Sequence, residues 1–417
     1  MSEQRHMLNM SRHLFSSAMQ LLFVLLICFA STAVHAKEKS TPKEVQLPKV
    51  VDLFWPCRTI VEARGRSQTR ESFVSPSLAS AGGVLVALAK SYASLPYPDQ
   101  ELVSPYYDDV VAGYIDSGEN WSSFADEVNT NKWRAYNIFN AIIPKEDNAP
   151  MGHTYRPTTI AKGNKVFLLV GGYHQKYDPS SKKWIESSQD LDLLVGEATE
   201  YKVIQWGKPT SLLPQIKPSA KQPGLDEFVG GGGSGVVMED GTFVFPVTAR
   251  RTGESDTVSM IIYSKKGDKN WVLPQGMVHV KWRDPLIVEW EQGQLVMVAR
   301  CDLFSKVFES RDMGATWTEA VGILTRVQPI LLPNTSRTAE RVGSLTTAII
   351  AGKKVMLYTQ QEILPEDPLQ ATALYLWVAD NNRTFHVGPI SMDTTPMPAN
   401  TLLHSNDALH LFTREGQ

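Results

Sequence analysis

The sequence predicts an all-β fold, a six-bladed β-propeller, on three observations. One strand–turn–strand unit occurs six times, an eight-residue turn recurs after several units, and the sixth unit runs almost to the end of the chain at Gln417. The units are "PSLASAGGVLVALAK", "PTTIAKGNKVFLLVG", "SGVVMEDGTFVFPVT", "PLIVEWEQGQLVMVAR", "TTAIIAGKKVMLYTQ" and "NTLLHSNDALHLFTR". Their turns fall at Gly82, Gly163, Asp240, Gly293, Gly352 and Asn406, and Gly, Asn or Asp between β-branched and aromatic runs marks a hairpin. A spacing of about 50 to 80 residues fits radial repetition, in which each sheet buries its faces against its neighbours.

The recurrent turn is complete in "SRDMGATW", with Ser310, Asp312, Gly314 and Trp317 at offsets zero, two, four and seven. An Asp that bonds its own backbone, a Gly free to adopt positive φ and a large ring tucked beneath want that spacing. Partial copies end at Trp121, Trp271 and Phe385. Two stacked β-sandwiches would account for the strands but not for this turn. Because little follows Arg414, the last blade needs a strand from elsewhere, and Val51–Ala63 is the expected donor.

With 41 basic and 44 acidic residues among 417, no global positive field recommends nucleic acid as a partner. Near the N-terminus, Arg12 and His13 precede an apolar run from Leu21 to Ala30, and Val34-His35-Ala36 supplies a small-residue cleavage pattern. Residues 1–36 therefore read as a secretory signal peptide, 37–50 as a flexible linker and 51–417 as the propeller, with no transmembrane span. The expected product is secreted or held at the cell surface, and monomeric. Sequons at Asn120, Asn334 and Asn382 are glycosylation candidates consistent with that route. Cys57 and Cys301 stand open between a disulfide and two buried thiols.

The chemical motifs are sparse. "VGGGGSG", from Val229, is followed by a hairpin rather than a helix and has no Lys, so it reads as close backbone packing and not a nucleotide loop. The nine histidines form no ligand-spaced cluster, and neither metal nor cofactor is expected. In "DLDLLVGE", alternation puts Asp190 and Asp192 on the solvated face of a strand. Trp133, Trp184 and Trp282 lie outside the turn motif, with core roles favoured over sugar stacking. Asp284 opens the first strand of the fourth unit and Arg300 closes the second, so antiparallel pairing brings both to one end of a blade. There they form a structural ion pair, or Arg300 grips a ligand carboxylate bidentately.

Several of these segments together resemble the trypanosomal trans-sialidase superfamily: "KGNKVFLLVG", "DPLIVEWEQGQLVMVARCD", "VFESRDMGATWTEAVGILTRV" and "LYLWVADNNRTFHVG" occur in that family's order. The eight-residue turn is the family's Asp box. The resemblance implies a retaining exo-α-sialidase fold, with a Tyr nucleophile assisted by a Glu, an acid/base Asp, three arginines on the sialic acid carboxylate and an Asp at the N-acetyl pocket.

Carried onto this chain, that site is eroded. Val74 stands at the first arginine position, Arg300 at the second and Ala371 at the third. Ala399 stands at the nucleophile position, Asp284 at the assisting Glu, and Arg156 replaces the N-acetyl-pocket Asp. Asp99 is the acid/base candidate, ahead of Asp108 and Asp109. Arg156 and Glu227 are further candidate ligand contacts. Each arginine contributes ~1.5–3 kcal/mol through charge-assisted hydrogen bonds, so losing two costs orders of magnitude in carboxylate affinity. The resemblance therefore implies a catalytically inactive glycan- or host-glycoprotein-binding adhesin or antigenic decoy. The alternative is an active sialidase or trans-sialidase with a displaced nucleophile, Tyr375 or Tyr358. The C-terminal lectin-like domain found in surface members of the family is not recognised in this sequence.

Overall fold

In the computed structural model the described residues run from 50 to 413, excluding 64–65, 95–105, 141–150, 281–284, 323–342, 364–371, 392–399 and a few short loop positions. The expected signal peptide and nearly all of the linker lie outside them. Among the described residues, no helix is long and apolar enough to cross a membrane.

The described chain is overwhelmingly β, and all six repeated units are hairpins. Five belong to sheets of four to six strands, the blades. Blade 1 begins from the inner strand Ser72–Ala81 and blade 2 from Met151–Lys162. Blade 3 begins from Leu225–Gly230, blade 4 from Leu286–Glu289 and blade 5 from Leu345–Ile350. The sixth unit, Asn400–Ser405 with Ala408–Thr413, is a sheet of two strands, so the expected six blades become five among the described residues. Asn400–Ser405 nevertheless lies against both Leu345–Ile350 and Ser72–Ala81, which closes the ring.

Strand alternation makes the core radial. In Val84–Ser94, Val84, Val86 and Leu88 pack against Val166 and Leu168 of blade 2, whereas Leu85 and Ala87 face the other way, toward Leu403 and Phe412 of the hairpin. Equivalent layers join blades 2 and 3 through Phe167 and Phe245, and blades 4 and 5 through Val296 and Met356. Each sheet is thus apolar on both faces, which explains the long uninterrupted hydrophobic runs of the repeat.

The expected closure by Val51–Ala63 is overturned. Val61–Ala63 pairs parallel with Ala135–Asn140 and antiparallel with Arg66–Gln68, both in blade 1. The Cys57 amide donates to Arg70 O at 2.7 Å, drawing the segment to that blade. Among the described residues no strand of this segment pairs with the hairpin, which it touches through the Phe54 ring, 5.5 Å from that of Phe412. Cys57 is exposed and free, so the paired and the doubly buried alternatives both fail.

The complete Asp-box turn links Phe304–Ser310 to the outermost strand of blade 4, Thr318–Glu319. Asp312 accepts the Thr316 amide at 2.9 Å and its hydroxyl at 2.6 Å, and Ser310 Oγ accepts the Gly314 amide at 2.9 Å. Gly314 has φ +76°, and a Cβ there would meet Ile261 at 2.8 Å. These bonds hold the Asp312 carboxyl below its usual range and occupy it in the turn. The partial copies differ: Asn120 caps helix α1 (Trp121–Asn129) by accepting the Ser122 amide, and Asp380 accepts the amides of Asn382 and Arg383. Asn120 and Asn382 are exposed; Asn334 lies outside the described residues.

Candidate functional site

The inner strands of blades 1, 2 and 3 share an irregularity at the same end. Their registers shift between Val74 and Ser77, between Tyr155 and Thr158, and between Asp226 and Val229. Within each shift one residue other than Gly has positive φ: Ser75 at 51°, Arg156 at 48° and Glu227 at 49°. Pro76 and Pro157 follow the first two, and Pro, which cannot donate to a ladder, is tolerated at such bulges. A bulge re-aims side chains and often lies beside a site. The three lie at one end of the propeller, taken as its mouth; Arg156 and Glu227 sit within the second and third shifts and Val74 at the edge of the first.

The glycine run packs against these bulged strands. A Cβ at Gly230 would meet Arg156 O at 2.8 Å, and one at Gly231 would meet Pro285 O at 2.6 Å. The Gly232 amide donates to Thr158 Oγ1 at 2.9 Å, Ser77 Oγ donates to Gly233 O at 2.5 Å, and Gly233–Ser234 pairs with Thr158–Thr159. The run therefore welds inner strands from three blades together, which only residues without side chains can do.

Two buried ion pairs back the mouth in blade 1. Arg70 meets Asp109 at 2.9 Å, each 1% exposed, and Asp109 also accepts from Ser91 Oγ and Asn137 Nδ2. Lys90 meets Asp108 at 2.9 Å, and Asp108 accepts the Thr154 amide and hydroxyl and contacts His153 Nδ1 at 3.3 Å. Burial opposes the charge on Asp108, but His153, Lys90 and the Thr154 amide together hold its carboxyl below the usual range. Burial likewise pulls Lys90 down, yet Asp108 and Tyr92 leave it raised. The Lys90 ammonium also sits 4.7 Å from the Tyr92 ring and 4.8 Å from that of Tyr155. Asp108 and Asp109 are thereby committed to internal partners. Sequence reasoning missed this network, whose only linear trace is a Lys and two Asp within otherwise apolar strands.

Glu227 is ion-paired to Arg250, which also contacts Asp226 at 3.4 Å. Asp190 meets His174 at 2.5 Å, and Asp192 is half-buried rather than on a solvated face as alternation suggested. Burial and the neighbouring Asp190 push the Asp192 carboxyl up to about 6. A carboxyl raised on folding stabilises in its protonated form, so its contribution is full below the ordinary 3.8 and is lost as pH rises through about 6. Asp192→Asn is accordingly expected to raise stability at pH 7 by about 1 kcal/mol, after discounting for partial exposure, with the gain fading in acid. Urea unfolding at two pH values measures it.

Arg300 lies in Leu295–Cys301 of blade 4, with Ser305 as its cross-strand partner and two residues beyond Val298, the partner of Leu286. It therefore belongs to the end of the blade at which the inner strand starts. Asp284, Asp99, Ala371 and Ala399 lie outside the described residues. Tyr358 and Tyr375 are 3% and 9% exposed; Tyr358 stacks on Trp377 at 5.9 Å and Tyr375 on His386 at 4.8 Å. Tyr358 packs in the layer between blades 4 and 5.

A propeller of hairpin repeats with an Asp box, and with a mouth built on bulged inner strands, defines the sialidase fold. Residues 75–415 match the model of the BNR repeat-like domain family. "Sialidase 85-1.1" of Trypanosoma cruzi is 41% identical over 395 residues, 92% of this chain and 52% of that protein. Trypanosoma rangeli sialidase solved in complex with sialic acid has 28% identity and a TM-score of 0.67, over 88% of this chain and 56% of that one. A sialidase of Clostridium perfringens is 34% identical over 220 residues, about half of each chain at 51% and 52%. The chain belongs to the trypanosomal sialidase superfamily, and it spans about half the length of the curated relative from T. cruzi.

Proposed function

We propose that this propeller binds sialoglycans or host surface glycoproteins at its bulged mouth without turning them over, as a secreted or surface-associated adhesin or decoy. The observation that carries this reading is Val74. At the position of the family's first carboxylate-binding arginine stands an aliphatic side chain, 5% exposed, in the inner strand of blade 1. No hydrogen bond to a carboxylate is available from it. Ala371 and Ala399, at the third arginine and the nucleophile, point the same way: an alanine methyl offers neither a cation nor an attacking oxygen. The displaced-nucleophile alternative needs a tyrosine hydroxyl at the mouth, and the burial of Tyr358 and Tyr375 in aromatic stacks speaks against it. We further read the hairpin Asn400–Thr413 as the inner half of a sixth blade, since it occupies the sixth place in the ring.

Titration of the purified chain with sialyl-lactose under ligand-observed NMR, in parallel with a fluorogenic sialoside, tests the reading. Saturation transfer to the sugar with no sialic acid released is the expected result. Release that disappears in Arg300→Ala would establish the active alternative instead.

A further inference from the structure

Away from the axial mouth, we propose a second ligand site, a cleft on the rim of blade 1 that takes a neutral pyranose ring. The cleft is a shallow groove open to solvent, with little enclosed space, and lies between the segment Asp52–Ile60 and the C-terminal end of α1. Its chemical groups are Asp52, Trp55, Arg58, Asn129, Asn131 and Trp133. It is remote from the mouth because α1 follows strand Tyr106–Asp116 at its Asp116 end, whereas Asp108 and Asp109 sit near that strand's start.

Trp55 is the central observation. The residue is 44% exposed, yet its backbone is tightly fixed. The Trp55 amide donates to Thr59 Oγ1 at 2.7 Å, the Thr59 amide returns to Trp55 O at 2.9 Å, and Thr59 Oγ1 donates to Leu53 O at 2.9 Å. Next to it, Phe54 is pinned among Phe73, Trp133 and Phe412 at centroid distances of 5.1, 5.8 and 5.5 Å. The chain thus spends its order on holding a large ring that keeps nearly half of the residue's surface in water. A platform that needs no ordering on contact loses little entropy when a ligand arrives.

The polar groups around the ring select the ligand. The Arg58 guanidinium lies 5.3 Å from the Trp55 centroid and is fixed by Asn129 O at 2.9 Å and Asn131 Oδ1 at 3.2 Å, contacts that use two of its five donors. Asp52 adds a carboxylate acceptor and Asn131 an amide. A pyranose presents a C–H face to an indole and a rim of hydroxyls that both donate and accept, matching this mixed set. An apolar peptide would cover the same donors and acceptors without satisfying them, which disfavours it. An anion would meet the Asp52 carboxylate.

The test uses the full chain and lactose, which carries no carboxylate and so leaves the axial reading to be judged separately with sialyl-lactose. Saturation transfer from protein to the lactose C–H protons is expected. Trp55→Ala and Asp52→Ala should weaken the affinity at least tenfold, and Trp55→Phe should retain part of it, with unchanged thermal midpoints throughout. Absence of any lactose signal in the unaltered chain, or an undiminished signal in a folded Trp55→Ala protein, overturns the site. So does a peptide ligand that displaces nothing but occupies the cleft by itself. Sialyl-lactose binding that persists in Trp55→Ala belongs to the axial mouth, and its absence in that variant counts against the axial reading and leaves this one standing.

Discussion

Asp108→Ala is expected to lower the unfolding free energy by about 3–5 kcal/mol, because it strands the Lys90 ammonium in a place that is 4% exposed. Chemical denaturation at neutral pH measures it, and Lys90→Met combined with Asp108→Leu should recover most of the loss, since an apolar pair leaves no charge behind. The pH dependence changes sign with the mutation. In the unaltered chain the Asp108 carboxyl is held below 3.8, so its contribution is present above the ordinary carboxylate range and is lost as pH falls through the lowered value. Lys90 is raised above 10.5, so its contribution is present at neutral pH and is lost only as pH rises through the raised value. Without Asp108, burial is the leading influence on Lys90 and pulls it down. The variant should then gain stability as pH rises toward 10.5, where the unaltered chain gains none.

Arg70→Met should cost a similar amount, about 3–5 kcal/mol, for the complementary reason that a carboxylate is left behind. Asp109 would keep Ser91 and Asn137 as donors but lose its ion pair with Arg70. Asp109→Asn in the same background should restore part of the loss, because a neutral amide tolerates that burial better. If Arg70→Met instead unfolds at the same urea concentration as the unaltered chain, the pair contributes nothing to stability.

The repeat was legible because each unit carries its own hairpin signal, and turn residues between apolar runs act locally. "TTAIIAGKKVMLYTQ" announces Leu345–Ile350 and Lys353–Ile363 without reference to anything distant. The Asp box was legible for the same reason, its bonds spanning four residues. What depends on separation was not. The parallel pairing of Val61 with Ala135 joins strands 74 residues apart, and nothing in "VEA" distinguishes blade 1 from the sixth unit as its destination. The Lys90–Asp108 pair was hidden because charge in a strand ordinarily signals a solvated face. Asp192 misled for that reason too. The bulges left a trace that went unread as geometry: a Pro inside an apolar strand, at 76 and again at 157.

Those bulges also bear on how such a chain can change. Backbone shape at Ser75, Arg156 and Glu227 is imposed by the strands, prolines and glycines around them, and three residues as unlike as an alcohol, a cation and an anion adopt nearly one φ. The mouth is therefore a rack with interchangeable fittings. Mutation can rewrite what the mouth presents without renegotiating how the barrel of blades assembles, so a lineage can discard a chemistry, or acquire another, while inheriting the same molecule to mount it on.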